Sequence, residues 1–259
     1  FVVLDEAQHI KNAGSVGAAA VKQLQAQTRF ALTGTPMENG PGELWSLFDF
    51  VLPGYLNSYG AFLRRYQDGQ QADDLRRKIR PFLMRRLKKD VLTELPDKIE
   101  TVFTAQMTPE QSKVYRAAMA RLKERVDAIM QEKGLGRGRT EVLAAMTELR
   151  QICCHPALVL PDYSGASGKM DMLLELLPVA VAGGRRVLLF SQFTSMLKIL
   201  RKQLESDGYE TMYLDGETPA SARMEMTEQF NAGQGQVFLI SLKAGGTGLN
   251  LTGADMVIH

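Results

Sequence analysis

The stretch that most constrains the fold runs from residue 169 to 241, where helical and extended patterns alternate with little between them. Helical spacing covers 169–182, 195–206 and 219–231, and short apolar runs cover 186–191, 209–214 and 236–241. Thr194 and Thr218-Pro219 stand where helices would be capped, and Gly208 where one would stop. Strands joined through helices by short loops run parallel, so this half predicts an α/β domain. Ligands of open parallel sheets gather outside the carboxyl ends of the strands. Polar loops lie at each such end: Ser191-Gln192, Asp215-Gly216-Glu217-Thr218, and Ser241 to Gly248. Gly245, Gly246 and Gly248 would let backbone N–H groups approach phosphates, although their spacing fits neither a Walker A loop nor a dinucleotide fingerprint.

The start of the chain repeats the theme. Phe1-Val2-Val3-Leu4 reads as a strand buried on both faces, and Asp5-Glu6 follows where it would end. Two such carboxylates can be solvated acids opening a helix. They can also divide a phosphoryl-transfer task, one holding Mg²⁺ and the other orienting or deprotonating the attacking water. Ser15 predicts the cap of a helix to about Gln27, with Val21 and Leu24 inward. A second buried strand, Arg29 to Thr33, delivers Thr33-Gly34-Thr35-Pro36 into a loop that reads equally as a hydrogen-bond relay or a Gly-Pro turn. Leu44 to Phe50 has the apolar face of a packing helix.

Arg76, Arg77, Lys78, Arg80, Arg85, Arg86, Lys88 and Lys89 crowd one segment, either a solvated face or a phosphate-binding patch. Ile99 to Ala105 alternates loosely as a strand. Thr108-Pro109-Glu110-Gln111 is a helix start, followed by Val114, Tyr115, Ala118, Met119, Leu122, Val126, Ile129 and Met130 at helical spacing. A Gly/Arg loop, Gly134 to Arg139, separates this helix from another over 140–154 that stops at His155-Pro156. The pair makes a helical hairpin, and Pro161 to Gly168 is the best linker candidate.

The 259 residues suffice for two domains, and 45% hydrophobic with 23% charged residues is an ordinary globular composition. A net charge of +2 leaves nucleic-acid binding to local patches. No run of 18 apolar residues or signal peptide is present, pointing to a cytosolic or nuclear-type setting and no membrane. Cys153 and Cys154, the only cysteines, are adjacent and read as inert helix-end residues rather than metal ligands with His155. Phe1 lies inside a strand and Met256 to His259 looks like a strand just entered, so a piece of a longer protein is expected.

Taken together these segments resemble the Swi/Snf-type ATPases of the second helicase superfamily. Asp5-Glu6-Ala7-Gln8-His9-Ile10-Lys11-Asn12 is similar to motif II and Ala31 to Asn39 to motif III. Phe82 to Val91 resembles the block that follows, and Leu149 to Pro156 the end of the family's helical insertion. Val187 to Thr194 is similar to motif IV, Tyr213-Leu214-Asp215-Gly216 to the next, and Ser241 to Asn250 to motif V. The resemblance runs in order over essentially the whole chain.

It implies an α/β fold of two RecA-like parallel-sheet lobes, the first incomplete, with a helical hairpin insertion. The expected division is lobe 1 over 1–107, the insertion over 108–160, a linker over 161–168 and lobe 2 over 169–259. It further implies an ATP hydrolase that couples ATP and Mg²⁺ to movement on double-stranded DNA and to remodelling of protein–DNA complexes, with nucleosomes or RNA polymerase as possible DNA-bound partners. The setting would be a bacterial or archaeal nucleoid, or a nucleus. Asp5 would hold Mg²⁺, Glu6 activate water, and Gln8, Thr33 and Thr35 couple nucleotide state to DNA. Gly248 and Asn250 would reach the nucleotide, and Ser191, Gly216, Arg223, Ser241, Lys243, Arg85 and Arg86 would touch DNA phosphates. The family often has His where Gln8 stands. Neither a Walker A lysine nor the arginine-finger motif occurs in these residues, so residues 1–259 alone are expected to hydrolyse ATP negligibly. The alternative is a scaffold that grips nucleic acid without hydrolysis.

Overall fold

A computed structural model describes residues 1–86, 98–137, 139–246 and 249–259, which form two compact units, Phe1–Ile99 and Glu100–His259. Lys88, Lys89 and Gly248, and the second half of the block from Phe82 to Val91, lie outside the described residues.

The first unit is built on two parallel strands, β1 (Val2–Leu4) and β2 (Arg29–Ala31), paired Val2 to Arg29 and Leu4 to Ala31. A 3₁₀ turn, Ala7–Ile10, and helix α1 (Val16–Lys22) make the crossover between them. Ser15 caps α1 as its sequence predicts, its hydroxyl accepting from the Ala18 N–H at 3.2 Å. The helix stops at Lys22 rather than near Gln27; Ala18 is its buried residue, and Leu24 is exposed. The strands also depart from the expectation of burial on both faces. One face packs on Ala7, Ile10, Ala18, Leu47 and Phe50, while Val3, Phe30 and Leu32 on the other are each at least half exposed. A continuous apolar run cannot report which of its faces a helix covers in this chain.

Three further helices complete the unit: α2 (Pro41–Val51), α3 (Tyr59–Tyr66) and α4 (Ala72–Ile79). The α2 helix opens on proline and packs Leu47 and Phe50 under the strand pair, with Leu44 and Phe48 against Leu56, Phe62, Tyr66 and Leu75. Residues 98–108 carry no strand; Ile99, Val102 and Phe103 are exposed, for no neighbouring strand pairs with them among the described residues.

In the second unit, α5 (Pro109–Arg137) and α6 (Arg139–Cys154) pack as the predicted hairpin. The expected Gly/Arg loop is instead helical as far as Arg137. Glycine costs a helix only about 1 kcal/mol against alanine, and unlike proline does not block it. Met119 is 40% exposed, off the buried stripe of Gln111, Ala118 and Leu122. Gln111 does more than complete a cap. Its Nε2 donates to the Ile152 carbonyl at 2.8 Å, and its Oε1 accepts from the Gly168 N–H at 3.1 Å. One buried amide therefore joins the start of α5, the end of α6 and the start of α7 (Gly168–Ala182). Gly168 has no room for a Cβ, which would fall 1.8 Å from the Gln106 carbonyl oxygen.

Beyond this point the alternation gives β3 (Val187–Ser191), α8 (Thr194–Ser206), β4 (Thr211–Leu214), α9 (Ala220–Asn231), β5 (Val237–Ser241), a single turn α10 (Leu242–Gly245) and β6 (Met256–Ile258). All strand pairs are parallel, in the order β4-β5-β3-β6. Successive side chains divide the core between the two faces. Val187, Leu189, Val237 and Leu239 meet α7 and α8, and Leu188, Phe238 and Ile240 meet Phe230 of α9. Gly208 ends α8 with φ +86°. Thr194 is the first residue of α8 rather than its cap, and Thr218 turns back to Asp215 instead of capping α9.

Replacing Gln111 with leucine keeps the volume but leaves at least two buried backbone groups unpaired, at about 1–3 kcal/mol each. Urea unfolding should show a loss of about 2–4 kcal/mol; an unchanged midpoint would remove Gln111 from the account of this junction.

Candidate functional site

Parallel pairing brings the carboxyl ends of β1 and β2 to the same edge, so the Asp5-Glu6 loop and the Thr33 loop emerge side by side. The Ala7 N–H donates to the Leu32 carbonyl at 2.8 Å and the Leu32 N–H to the Leu4 carbonyl at 2.8 Å, extending the ladder past the strands. Glu6 turns the chain with φ +49°, a left-handed conformation that costs a non-glycine residue about 1–3 kcal/mol. Its own hydrogen bonds hold it there. The Glu6 N–H donates to Asp5 Oδ1 at 2.9 Å, and Gln8 Nε2 donates to Glu6 Oε2 at 2.5 Å. On its other side Gln8 Oε1 accepts from the Thr33 hydroxyl at 2.7 Å, and Thr33 Oγ1 accepts from the Thr35 N–H at 3.1 Å. Five of the residues singled out from sequence thus form one hydrogen-bonded series, Asp5, Glu6, Gln8, Thr33 and Thr35. The position where the family often has His makes this contact as Gln8, and His9 is exposed.

Asp5 and Glu6 are exposed, so their carboxylates are open to solvent and ligand. Oxygen donors suit Mg²⁺, which binds through one or two carboxylates and otherwise through water and substrate phosphates. Among the described residues no group of three or more His, Cys, Asp or Glu side chains could hold a metal alone. The exposed Asp5 carboxylate is a donor of the kind such a cation takes.

The second unit presents its candidates at the carboxyl edge of its own sheet. Ser191 and Ser241 are register partners at the ends of β3 and β5. Ser191 Oγ accepts from the Phe193 N–H at 3.1 Å and Ser241 Oγ from the Ala244 N–H at 3.3 Å, so both hydroxyls cap the turns they begin. Lys243 and Gly216 are exposed. Gly245 has a packing reason in addition to the phosphate reading: a Cβ there would lie 2.5 Å from Cε1 of Phe190. Asn250 offers its carbonyl to Asn231 Nδ2 at 2.7 Å. Arg223 is half-buried, its guanidinium donating to the carbonyls of Thr218 at 2.8 Å, Asp215 at 3.2 Å and Gly216 at 3.3 Å.

That turn is built around Asp215, whose carboxylate accepts from the Tyr213 hydroxyl at 2.8 Å and the Glu217 N–H at 3.0 Å. Burial alone would raise the Asp215 carboxyl, but these bonds and Thr218 outweigh it and hold it below the usual range. The Tyr213 phenol is pushed up to about 12, by burial first and then by its bond to Asp215. Elsewhere, burial pushes the Cys154 thiol up and the His155 imidazole down against the opposing charge of Asp171, and His155 Nδ1 accepts from the Ala157 N–H at 3.1 Å. Arg85 and Arg86 are exposed, whereas Arg65, Arg76 and Lys78 pair with Asp73 or Asp74. Sequence reasoning passed over Glu43, on the first turn of α2. It accepts from the Glu38 N–H at 2.6 Å, the Asn39 N–H at 3.0 Å and Asn39 Nδ2 at 2.9 Å, which hold its carboxyl at about 2. An acid just after Pro41 was the available signal.

The SNF2-related domain model matches residues 1–158, and the helicase conserved C-terminal domain model matches residues 168–259. The putative ATP-dependent helicase/translocase YwqA of Bacillus subtilis is 37% identical, aligned over all of this chain and 29% of its own length. Protein CHROMATIN REMODELING 8 of Arabidopsis thaliana is 37% identical over all of this chain and 23% of its own. The structure of the Sulfolobus solfataricus SWI2/SNF2 ATPase core in complex with dsDNA is 35% identical, covers 99% of this chain and 56% of that one, and superposes with a TM-score of 0.57. The chain spans about a quarter of the length of the curated relatives it matches.

A raised phenol favours the neutral form in the folded state, so the stability it contributes is present below the ordinary tyrosine value near 10 and is lost as pH rises through about 12. Subtracting the alkaline ultraviolet titration of Tyr213→Phe from that of the parent should isolate one phenol ionising near pH 12. A difference curve centred near 10 would contradict the Tyr213–Asp215 bond.

Proposed function

The chain belongs to the SNF2-related domain family, its parallel-sheet units having the RecA-like fold of the SWI2/SNF2 ATPase core, and from that premise we propose that it serves a DNA-stimulated ATPase that moves along duplex DNA. The observation that carries this reading is the series from Glu6 through Gln8 to Thr33 and Thr35. It links a carboxylate suited to hydrolysis to a neighbouring loop whose position can respond to a second ligand.

In this reading Asp5 is the oxygen donor for Mg²⁺, and the Glu6 carboxylate orients the attacking water and takes its proton. Bound Mg·ATP supplies the transferable phosphoryl group, with the cation neutralising charge that develops on it. Gln8 restrains Glu6 through Oε2, and the Thr33 hydroxyl restrains Gln8 in turn. A shift of the Thr33–Thr35 loop therefore changes the orientation of Glu6, which is how DNA engagement would set the hydrolysis rate. Gly248 and Asn250 are the residues assigned to the nucleotide by the motif they belong to. Ser191, Gly216, Arg223, Ser241 and Lys243, with Arg85 and Arg86, are DNA-phosphate contacts, which suit movement because they hold the duplex without reading its sequence. The structural relative bound to dsDNA supports duplex DNA as the partner, and the relative named for chromatin remodelling supports DNA-bound proteins as what is displaced.

In the full-length protein carrying this chain, Glu6→Gln should lower DNA-stimulated ATP hydrolysis by about 10²-fold or more, the range for loss of a general base. DNA affinity should stay within about threefold. Undiminished turnover would refute the reading, and would favour a nucleic-acid scaffold that does not hydrolyse ATP.

A further inference from the structure

The series from Glu6 to Thr35 does not end at Thr35. The Thr35 hydroxyl hydrogen-bonds the Glu38 carboxylate, and Lys11 Nζ donates to that same carboxylate. Lys11 follows directly on the turn that carries Gln8, so the contacts close into a ring: Glu6, Gln8, Thr33, Thr35, Glu38, Lys11, and back along the backbone to Glu6. Four of these six residues have a role in the proposed function, and the Lys11–Glu38 side has none.

Beneath the unassigned half sits Glu43. Its Oε2 accepts from the N–H groups of Glu38 and Asn39, its Oε1 accepts from Asn39 Nδ2, and Lys11 Nζ stands 3.4 Å from Oε1. Lys11 is shared between the two carboxylates and is only 24% exposed, and Glu43 is 15% exposed. Two successive turns of α2 supply the anchor. Glu43 holds the loop that follows β2, and the buried Ser46 hydroxyl, one turn on, donates to the Ile10 carbonyl at 2.7 Å and holds the segment that follows β1. Leu47 and Phe50 of the same helix fix it under the strand pair. Both loops are therefore moored to one rigid element, by different side chains.

The geometry points to Lys11, Glu38 and Glu43 as positioning residues that fix the Thr33–Thr35 loop against the Glu6 loop, so that DNA engagement reaches Glu6 as a defined displacement. None of the three touches the reacting atoms; they act through Thr35 and Gln8. The inference rests on the DNA-stimulated ATPase reading. Its electrostatics agree with the geometry: bonding to Lys11 holds the Glu38 carboxyl below its ordinary range, bonding to Glu38 raises the Lys11 ammonium, and the loop N–H groups hold Glu43 at about 2. All three stay ionised at neutral pH, so the clamp is a fixed charge arrangement rather than a titrating switch. A purely structural role would look different, since surface ion pairs of this exposure contribute about 0–1 kcal/mol and their loss would lower the melting temperature slightly and no more.

The test is steady-state ATPase kinetics of the full-length protein with and without duplex DNA. Lys11→Met should lower the DNA-stimulated kcat about tenfold or more, the scale on which displaced reacting groups lose rate, with KM for ATP within twofold. Lys11→Arg should recover most of the loss. Glu43→Gln should fall with Lys11→Met, and the double variant should be no worse than the poorer single. Should Glu43→Gln fail to fold, the Lys11 pair carries the test alone. Stimulated kcat within twofold of the parent in Lys11→Met, or a loss confined to KM, overturns the clamp while leaving the ATPase reading intact. A parent protein whose ATPase ignores DNA overturns both.

Discussion

Parallel pairing of two three-residue strands is the constraint on which the candidate site depends. Because β1 and β2 run the same way in register, the residues that follow them emerge at one edge, and the ladder continues through Ala7 and Leu32. Neither loop could reach the other from an antiparallel pair of this length. Side chains then do what the backbone cannot: Gln8 spans from Glu6 to Thr33, with a donor for one and an acceptor for the other. A bifunctional amide is well suited to that position, since it satisfies a carboxylate and a hydroxyl at the same time.

The two units distribute stability and chemistry differently. In the second, β5 is buried along its whole length between β4 and β3, and helices cover both faces. Burying side chains of this kind contributes about 1.5–3 kcal/mol each, so the sheet is a firm base for the loops at its carboxyl edge. In the first, the site lies on exposed loops where a hydrogen bond contributes only about 0.5–1.5 kcal/mol net, and Glu6 carries backbone strain besides. Order there comes from closing the contacts into a ring and mooring both loops to α2. Loops held by several modest polar contacts can shift without unfolding the helix beneath them, which is what a coupling element requires.

Much of this was legible in the sequence, and what was not has identifiable causes. The second unit read clearly because burial on both sheet faces leaves near-continuous apolar runs, and each helix between them is long enough to show its period. The ends of those strands gave Ser191, Asp215-Gly216 and Ser241 directly. Elsewhere a local pattern stood for a tertiary fact and misled. Phe1 to Leu4 is apolar throughout, yet Val3 is exposed; Ile99 to Ala105 alternates, yet pairs with no strand among the described residues. Gly134 and Gly136 suggested a break in a helix that absorbs them. Gln111 was invisible as a hub because its partners lie on segments whose approach only the fold decides, up to 57 residues away, whereas Glu43 holds loop residues only four and five positions before it and was passed over although its place just after Pro41 was a local signal. Lys11 and Glu38 fell inside recognised motifs and still received no role, because a motif reports residue types and not the contact between them.

The most direct measurement is a double-mutant cycle on DNA-stimulated kcat in the full-length protein, using Gln8→Ala and Thr33→Val. If Gln8 and Thr33 act through their shared hydrogen bond, the double variant will be about as slow as the slower single, because either change alone already severs the link. If the two losses instead multiply as independent effects, the loops are not coupled through this contact, and the account of how DNA reaches Glu6 is wrong.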